Sequence, residues 1–82
     1  MRHTVVWTSA ATDMLAEIWM QTADPQAVTS AANQIDRILR DFPEQGDAFG
    51  PDWRLVREPL VVYYTISPMD RLVRVTSVFI NP

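Results

Sequence analysis

The chain has 82 residues, of which 48% are apolar, with a formal net charge of −3 and no cysteine. A chain this short fits one domain at most and buries only roughly 60–65% of its extended surface, so its stability must come from one compact core. The lack of cysteine excludes a disulfide framework, a thiolate metal site and a cysteine nucleophile, and it favours a reducing compartment.

Targeting and membrane signals are missing from the sequence. The start, Met1-Arg2-His3-Thr4, is followed by no long apolar run, so we expect no signal peptide. The longest apolar run, Leu60 to Tyr64, is far below the roughly 20 residues that a membrane helix needs. We therefore expect residues 1–82 to form a single cytoplasmic domain that does not contact a membrane.

Charge is unevenly distributed along the chain. Residues 1–52 hold three Arg against eight Asp and Glu, a net charge of −5, whereas residues 53–82 hold four Arg against two carboxylates, a net charge of +2. Lysine is absent, so every fixed positive side chain is a guanidinium, which suits pairing with carboxylate or phosphate. A net acidic chain binds nucleic acid poorly in general, so any such contact would use the C-terminal half.

The first half of the chain predicts a strand and two helices. Thr4 to Thr8 is β-branched and aromatic, which indicates a short strand. Thr8 or Ser9 then supplies an N-cap for a helix that ends near Ala23. Asp24-Pro25 starts a second helix, which Pro43 stops. The short gap at Asp24 makes the two helices an antiparallel hairpin.

The second half predicts a loop and three strands. Pro43 to Asp52 contains two Gly and two Pro and is typical of a loop. Strands follow at Trp53–Arg57, Leu60–Ser67 and Leu72–Ile80, with a turn at Ser67-Pro68-Met69-Asp70. Alternation in the middle strand predicts one set of side chains facing the helices: Leu60, Val62, Tyr64 and Ile66.

The predicted fold class is therefore α+β, in the order β-α-α-β-β-β. A two-helix hairpin packs on one face of a small, mainly antiparallel four-stranded sheet, with the first strand at one edge. The residues expected to be buried together in the core are Leu15, Ile18, Ile35, Leu39, Val62, Tyr64 and Ile66.

An ordered set of segments gives the chain a resemblance to the RelE/ParE superfamily of toxins from bacterial type II toxin–antitoxin modules, the kind associated with plasmid stabilisation. The resemblance spans nearly the whole chain and implies the fold above. The segments that carry it are Val6-Trp7-Thr8, Leu15-Ala16-Glu17-Ile18-Trp19, Ala31-Ala32, Ile35-Asp36-Arg37-Ile38-Leu39, Phe42-Pro43-Glu44-Gln45-Gly46, Trp53-Arg54-Leu55-Val56, Val62-Tyr63-Tyr64-Thr65-Ile66 and Arg74-Val75-Thr76-Ser77-Val78.

The resemblance also implies a residue pattern for nuclease activity. RelE-type members are similar to small ribonucleases that cut messenger RNA on the ribosome, which requires a proton acceptor, a proton donor and cations around the phosphate. Their pattern places two basic residues on the second strand, Arg on the third, Arg after the fourth and Tyr in a C-terminal tail. Here these positions fall at Arg54, at Val56, at Val61, around Ile80 or Asn81, and beyond the last residue, Pro82. The chain is thus similar to a short subgroup that lacks the catalytic tail.

Function is accordingly expected to be that of a toxin-like component that binds a macromolecular target and is neutralised by a cognate antitoxin. ParE-type members lack the nuclease set and are described as acting on DNA gyrase, so gyrase, or the ribosome with its mRNA, is the implied target. Two alternatives stay open. One is a non-toxic interaction module with this fold, and the other is a ribosome-dependent mRNA endoribonuclease with a non-standard residue set.

Candidate site residues are concentrated in the C-terminal half. A non-standard catalytic set would use Arg54, Arg57, Arg74 and Tyr63, and the expected partner-binding residues are Arg57, Arg71, Arg74 and Trp53. The arginines suit an anion-binding patch, or they are solvated side chains that pair with Glu58, Asp70 and helix carboxylates. Tyr63 should lie on the outer face of the sheet.

Other residues capable of chemistry fit structural roles better. His3 is the one side chain that titrates near neutrality, but a lone histidine at the start of an edge strand is more often incidental. With neither a second histidine nor a cysteine, we expect no metal site and no cofactor. Trp7 and Trp19 fall on apolar faces and should belong to the core, whereas Trp53 opens a strand and could anchor a partner.

Overall fold

Five strands and two helices form the protein in a computed structural model, which describes residues 2–81. The α+β class and the predicted order of elements are confirmed, with one strand more than expected. The elements are β1 (Thr4–Trp7), α1 (Ser9–Gln21), α2 (Pro25–Asp41), a 3₁₀ turn (Pro43–Gln45), β2 (Asp47–Phe49), β3 (Asp52–Arg57), β4 (Leu60–Ser67) and β5 (Leu72–Ile80). No helix within residues 2–81 is long and apolar enough to cross a membrane.

Both helices begin at the capping residues that the sequence predicted. The Thr8 side-chain oxygen accepts a hydrogen bond from the Ala11 N–H at 3.1 Å, and the Asp24 carboxylate accepts one from the Ala27 N–H at 3.2 Å. Each cap satisfies one of the N–H groups that a first helical turn leaves without a partner. Pro25 occupies the first turn of α2, where its missing N–H is not needed.

The sheet is mixed, with strand order β1-β5-β4-β3-β2. β1 joins the edge of the sheet, as predicted, and it runs parallel to β5, whereas every other pairing is antiparallel. The sheet has a fifth strand beyond the four predicted, because Asp47–Phe49 pairs with β3 across a tight turn. Gly50 has φ +64° in that turn, a conformation that glycine adopts without steric cost. A three-residue strand is too short to show a periodic pattern in sequence.

β5 is not a regular strand, and its irregularity serves the core. Tyr63 pairs with Ser77 while the next residue, Tyr64, pairs with Val75, so Thr76 is an extra residue in a β-bulge. Strict alternation would turn either Val75 or Val78 away from the helices. With the bulge in place both are fully buried.

The core lies between the helix pair and one face of the sheet. Ile35, Leu39, Val62 and Tyr64 are fully buried, as predicted, while the remaining members of the expected core are only partly buried at its margin. These marginal residues are Leu15, Ile18 and Ile66. α1 fully buries only Ala11, because it packs chiefly against β5 near the edge of the sheet.

Placement of Trp19 in the core was wrong, because its side chain is 50% exposed. Its indole N–H donates to the Thr29 hydroxyl at 3.2 Å and so braces α1 against α2 from outside. Trp7 does pack against the core, and its indole N–H donates to Asp36 at 3.3 Å. Both tryptophans therefore hold the helix pair in position, one from within and one from the surface.

Truncation of a core residue on α2 should cost much more stability than truncation of an exposed residue on α1. Leu39→Ala removes a fully buried side chain and should lower the free energy of unfolding by about 2–5 kcal/mol. Met20→Ala, at a position 79% exposed, should change it by less than about 0.5 kcal/mol. Urea denaturation followed by circular dichroism measures both, and equal losses would contradict the described core.

Candidate functional site

The face of the sheet turned away from the helices is uncovered, and we refer to it as the open face. Paired residues of neighbouring strands point to the same side of a sheet. The strand register therefore identifies the residues that share the open face with Tyr63. Tyr63 lies opposite Arg54 on β3, and the pairs Val56–Val61 and Val61–Phe79 continue the same side. The open face includes Val6, Asp47, Phe49, Asp52, Arg54, Val56, Val61, Tyr63, Thr65, Arg74, Ser77 and Phe79.

Three aromatic rings form a cluster on the open face. The Tyr63 ring contacts Phe49 and Phe79 edge-on, with ring centroids 5.6 Å and 5.9 Å apart. Phe49 is nevertheless 59% exposed and Phe79 45% exposed, while Val61 beside them is only 5% exposed. Large apolar side chains left in contact with water at one place are typical of a surface that a partner covers.

Two guanidinium groups flank the aromatic cluster. Arg54 lies between Asp47 and Tyr63 in the register, and Arg74 lies between Thr65 and Val6. Within residues 2–81, neither guanidinium group forms an ion pair or a side-chain hydrogen bond. This arrangement leaves two positive charges available on the open face.

The acidic partners expected for these arginines are engaged elsewhere. Glu58 accepts a hydrogen bond from the Asn81 side chain at 2.7 Å, and Asp70 accepts one from the Ser67 hydroxyl at 3.1 Å. On the helices, Asp36 pairs with Arg40 at 2.8 Å. The interpretation of the arginines as members of such pairs therefore fails for Arg54 and Arg74.

The other residues expected to bind a partner do not lie on the open face. Arg57 pairs with Leu60 on the helix side of the sheet and donates to the Val56 carbonyl at 2.7 Å. Trp53 also faces the helices and stacks on Tyr64, with ring centroids 6.5 Å apart. Arg71 lies in the β4–β5 turn with φ +49°. Of the four residues proposed for partner binding, only Arg74 shares a surface with the aromatic cluster.

Tyr64 has a structural role. It is fully buried, and its hydroxyl donates to the Pro43 carbonyl at 2.5 Å, which ties the 3₁₀ turn after α2 to the middle of the sheet. The pKa of Tyr64 is raised to about 12, chiefly by burial. A hydrogen bond with the Gly46 backbone lowers the pKa, and the nearby Asp47 and Glu44 carboxylates raise it. A phenol held neutral inside the core does not serve as an acid or base at neutral pH.

Stability should depend on pH in the alkaline range through Tyr64. The unfolded phenol ionises near pH 10 and the folded one near pH 12, so ionisation favours the unfolded chain between these values. The contribution of Tyr64 to stability should therefore be constant below pH 10 and fall by about 1.4 kcal/mol per pH unit between pH 10 and pH 12. The measurement is urea denaturation at several pH values. Tyr64→Phe should remove this dependence of the unfolding free energy on pH, whereas Tyr63→Phe should keep it. An unchanged slope in Tyr64→Phe would contradict the assignment.

A hollow of about 380 Å³ lies at the far end of the sheet, beside the β4–β5 turn. It brings together three residues that the sequence singled out separately: His3, Trp53 and Arg71. Its other lining residues are Glu44, Ile66 and Pro68. Glu44 was not predicted, because a carboxylate after Phe42-Pro43 has no pattern that separates it from an ordinary turn residue.

The nuclease positions implied by the resemblance meet on the open face with the wrong chemistry. Arg54, Val56 and Val61 all point to this side, and Val56 and Val61 are direct cross-strand partners. Two valines at these positions offer neither a proton donor nor a cation. Arg54 and Arg74 can bind an anion there, but among the described residues of the open face no histidine or lysine stands ready to act as an acid or base near neutrality.

Comparison with known proteins places this geometry in context. No protein-family model matches the sequence, and no curated protein matches it. The fold is similar to a chain of the RelBE2 toxin–antitoxin complex from Mycobacterium tuberculosis, with a TM-score of 0.82 at 16% identity over 98% of this chain and 92% of that chain. It is also similar to a chain of the chromosomal ParDE toxin–antitoxin system from P. aeruginosa, with a TM-score of 0.74 at 13% identity over 99% and 98%.

The fold also occurs as part of a longer protein. TrmO from Pseudomonas aeruginosa matches 95% of this chain with a TM-score of 0.66 at 23% identity, but the match covers only 35% of TrmO. At these identities the likeness concerns the fold alone. The fold that the resemblance to the RelE/ParE superfamily implied is thus the one that this chain shares with chains of the RelBE2 and ParDE complexes.

Proposed function

We propose that the protein is the toxin-like component of a bacterial type II toxin–antitoxin module, which binds a macromolecular target and is neutralised by a cognate antitoxin. The fold shared with chains of RelBE and ParDE complexes over nearly their full length supports this proposal. The observation that carries it is the open face, where solvated aromatic rings lie beside two arginines without ion-pair partners among residues 2–81.

Action by binding is favoured over RNA cleavage by the composition of the same face. Ribonucleolytic transfer through a 2′-hydroxyl needs a group to take a proton, a group to return one, and cations around the phosphate. Arg54 and Arg74 supply only the last of these, and Val56 and Val61 occupy positions that are basic in the nuclease pattern. Tyr63 is packed between two phenylalanine rings.

The antitoxin would occupy the open face. An exposed aromatic cluster provides apolar area for a partner, and arginine and aromatic residues dominate the energetics of protein interfaces. The two guanidinium groups would draw an acidic segment to this face and fix its register. The outer sides of the helices are less suitable for an acidic segment, since Arg40 already pairs with Asp36 and the helices also carry Asp13, Glu17 and Asp41.

A non-toxic interaction module is the second candidate. It is supported by the match to about a third of TrmO, because there the fold is one part of a larger chain. Such a module would bind a partner through the same open face without arresting growth. The two candidates therefore differ in the cellular response and not in the surface that they use.

Expression in a bacterial host tests the proposed activity. Induction of this protein alone should arrest growth, and co-expression of the protein encoded by the adjacent gene should restore it. Primer extension on abundant transcripts should find them intact, because the open face lacks a proton donor and acceptor set. Optical density and colony counts after induction give the primary measurement.

The control is the same pair of genes with a stop codon early in the adjacent gene, which should leave the arrest in place. Normal growth under strong induction would support the non-toxic module instead. Site-specific RNA cleavage that disappears in Arg54→Ala would overturn action by binding and favour the endoribonuclease.

Charge reversal on the open face should weaken antitoxin binding. Arg74→Glu places a carboxylate where we propose an acidic segment, and loss of a buried charge pair costs about 2–5 kcal/mol, so affinity should fall at least about tenfold. Arg37→Glu, on the exposed side of α2, is the matched control and should change affinity by less than about twofold. Isothermal titration with the neighbouring protein measures both.

Two further variants define the extent of the surface. Arg54→Glu should act like Arg74→Glu, because both residues belong to the open face. Arg57→Glu lies on the helix side, so a similar loss there would extend the partner surface around β3. If Arg37→Glu weakens binding as much as the open-face variants, the partner lies on the helices and the proposed surface is wrong.

A further inference from the structure

The hollow beside the β4–β5 turn has no part in the function proposed above. It lies where β1 begins, where the 3₁₀ turn follows α2, where β3 begins and where β4 turns into β5, so four separate segments of the chain contribute its walls. Its volume of about 380 Å³ falls within the range of small-molecule sites, which are commonly about 300–1,000 Å³. Such sites combine apolar walls with a few polar groups that orient the ligand.

Trp53 supplies a rigid aromatic wall for this hollow. Its ring lies nearly parallel to that of Tyr64, with an interplanar angle of 21°. Tyr64 is itself fixed by burial and by its hydrogen bond to the Pro43 carbonyl. Trp53 is therefore held from one side, yet it remains partly exposed and lines the hollow. A flat ring fixed in this way can stack with a second flat ring.

The polar groups around this wall include acceptors as well as donors. The Glu44 carboxylate accepts hydrogen bonds, and the Arg71 guanidinium donates them and carries a positive charge. The third group is His3, whose Nδ1 is buried and has no hydrogen-bond partner among residues 2–81. Ile66 and Pro68 complete the lining with apolar surface.

We propose that this hollow binds a purine nucleotide, with the base stacked along Trp53 and the phosphate directed to Arg71. Aliphatic walls, one aromatic wall, an acceptor and two donors are complementary to a flat heteroaromatic ring that carries both donors and acceptors. Guanine is the preferred base, because its ring N–H and neighbouring amino group form a donor pair that one carboxylate can accept, and Glu44 provides that carboxylate.

A second hollow provides room for the remainder of the ligand. It adjoins the first along His3 and Glu44, has a volume of about 540 Å³, and extends past Asp41 to the exposed ring of Phe42. The sugar can lie across the boundary between the two hollows. His3 lines both hollows and so lies beside the sugar in this placement.

This inference is independent of the toxin-like function. The residues of the hollow and those of the open face are different, and Trp53 points to the side of the sheet opposite Tyr63. Nucleotide binding is measured on the purified protein, whereas the proposed function is measured by growth and by antitoxin binding. Failure of one therefore leaves the other standing.

Titration with GMP, AMP and CMP tests the site. Isothermal titration should give saturable binding in the order GMP, AMP, CMP, and the Trp53 indole N–H resonance, assigned with Trp53→Phe, should shift with GMP in a saturable manner. Guanosine should bind more weakly than GMP, because it lacks the phosphate for Arg71. Arg71→Gly, which suits the positive φ of this position, should abolish that difference.

Glu44→Gln is the decisive variant, because the side chain is exposed and its replacement should not disturb folding. It should reduce GMP affinity about tenfold or more and leave AMP within about twofold, since it removes a charged acceptor that only guanine uses fully. Asp13→Asn, at an exposed position on α1, is the matched control and should bind GMP as the parent does.

Three results of these titrations would overturn the proposal. They are the absence of saturable GMP binding, equal affinity for CMP and GMP, and unchanged GMP affinity in Glu44→Gln. A Trp53 resonance that moves only when the neighbouring protein is added would also overturn it, because the hollow would then receive a side chain of that protein.

Discussion

The side chain of Tyr64 connects the parts of this molecule that are distant in sequence. Its ring lies in the core beneath α2, its face stacks on Trp53, and its hydroxyl holds the Pro43 carbonyl of the turn that follows α2. That turn must approach closely, because a Cβ on Gly46 would lie 2.6 Å from the Arg54 carbonyl oxygen and closer still to the Tyr64 hydroxyl. The path from α2 into β2, and with it Glu44 and the hollow, depends on this one buried phenol.

Two helices on one side of a five-stranded sheet leave the other side to water or to a partner. Burial on the helix side satisfies the stability needs of a short chain, so residues on the open face are free to change without loss of the core. Val61 is an example of such a change. Its position on the strand could carry a charged side chain, but here it holds a valine that is only 5% exposed between Val56 and Phe79. A fold shared at 16% identity or less with RelBE2 and ParDE chains can thus carry a different surface chemistry.

Sequence patterns predicted the elements whose signals are local and repeated. Caps at Thr8 and Asp24 and the alternation of Leu60, Val62 and Tyr64 each depend on near neighbours, and the structure confirms them. Features set by tertiary contacts were missed. β2 exists only because Gly50 turns the chain back onto β3, and Trp19 is at the surface because α1 lies near the sheet edge. Arg54 and Arg57 are three residues apart, so strand alternation places them on opposite faces of the sheet. The sequence of this strand does not show which of the two faces the helices.

The sequence singled out candidate residues one by one but could not show which of them lie together. Trp53, Arg71 and His3 are distant in sequence, and only the packing of the β1 start, the β3 start and the β4–β5 turn brings them to one hollow. Conversely, Arg57 and Arg74 were predicted to share one basic surface because charge was summed along the sequence, whereas the register separates them by the thickness of the sheet. Net charge of a segment therefore predicts a binding surface only once the face of each side chain is known. On the open face the two arginines are accompanied by Asp47 and Asp52. The proposed partner would therefore have to be recognised by the position of its charges and by the aromatic cluster, because overall attraction is not sufficient.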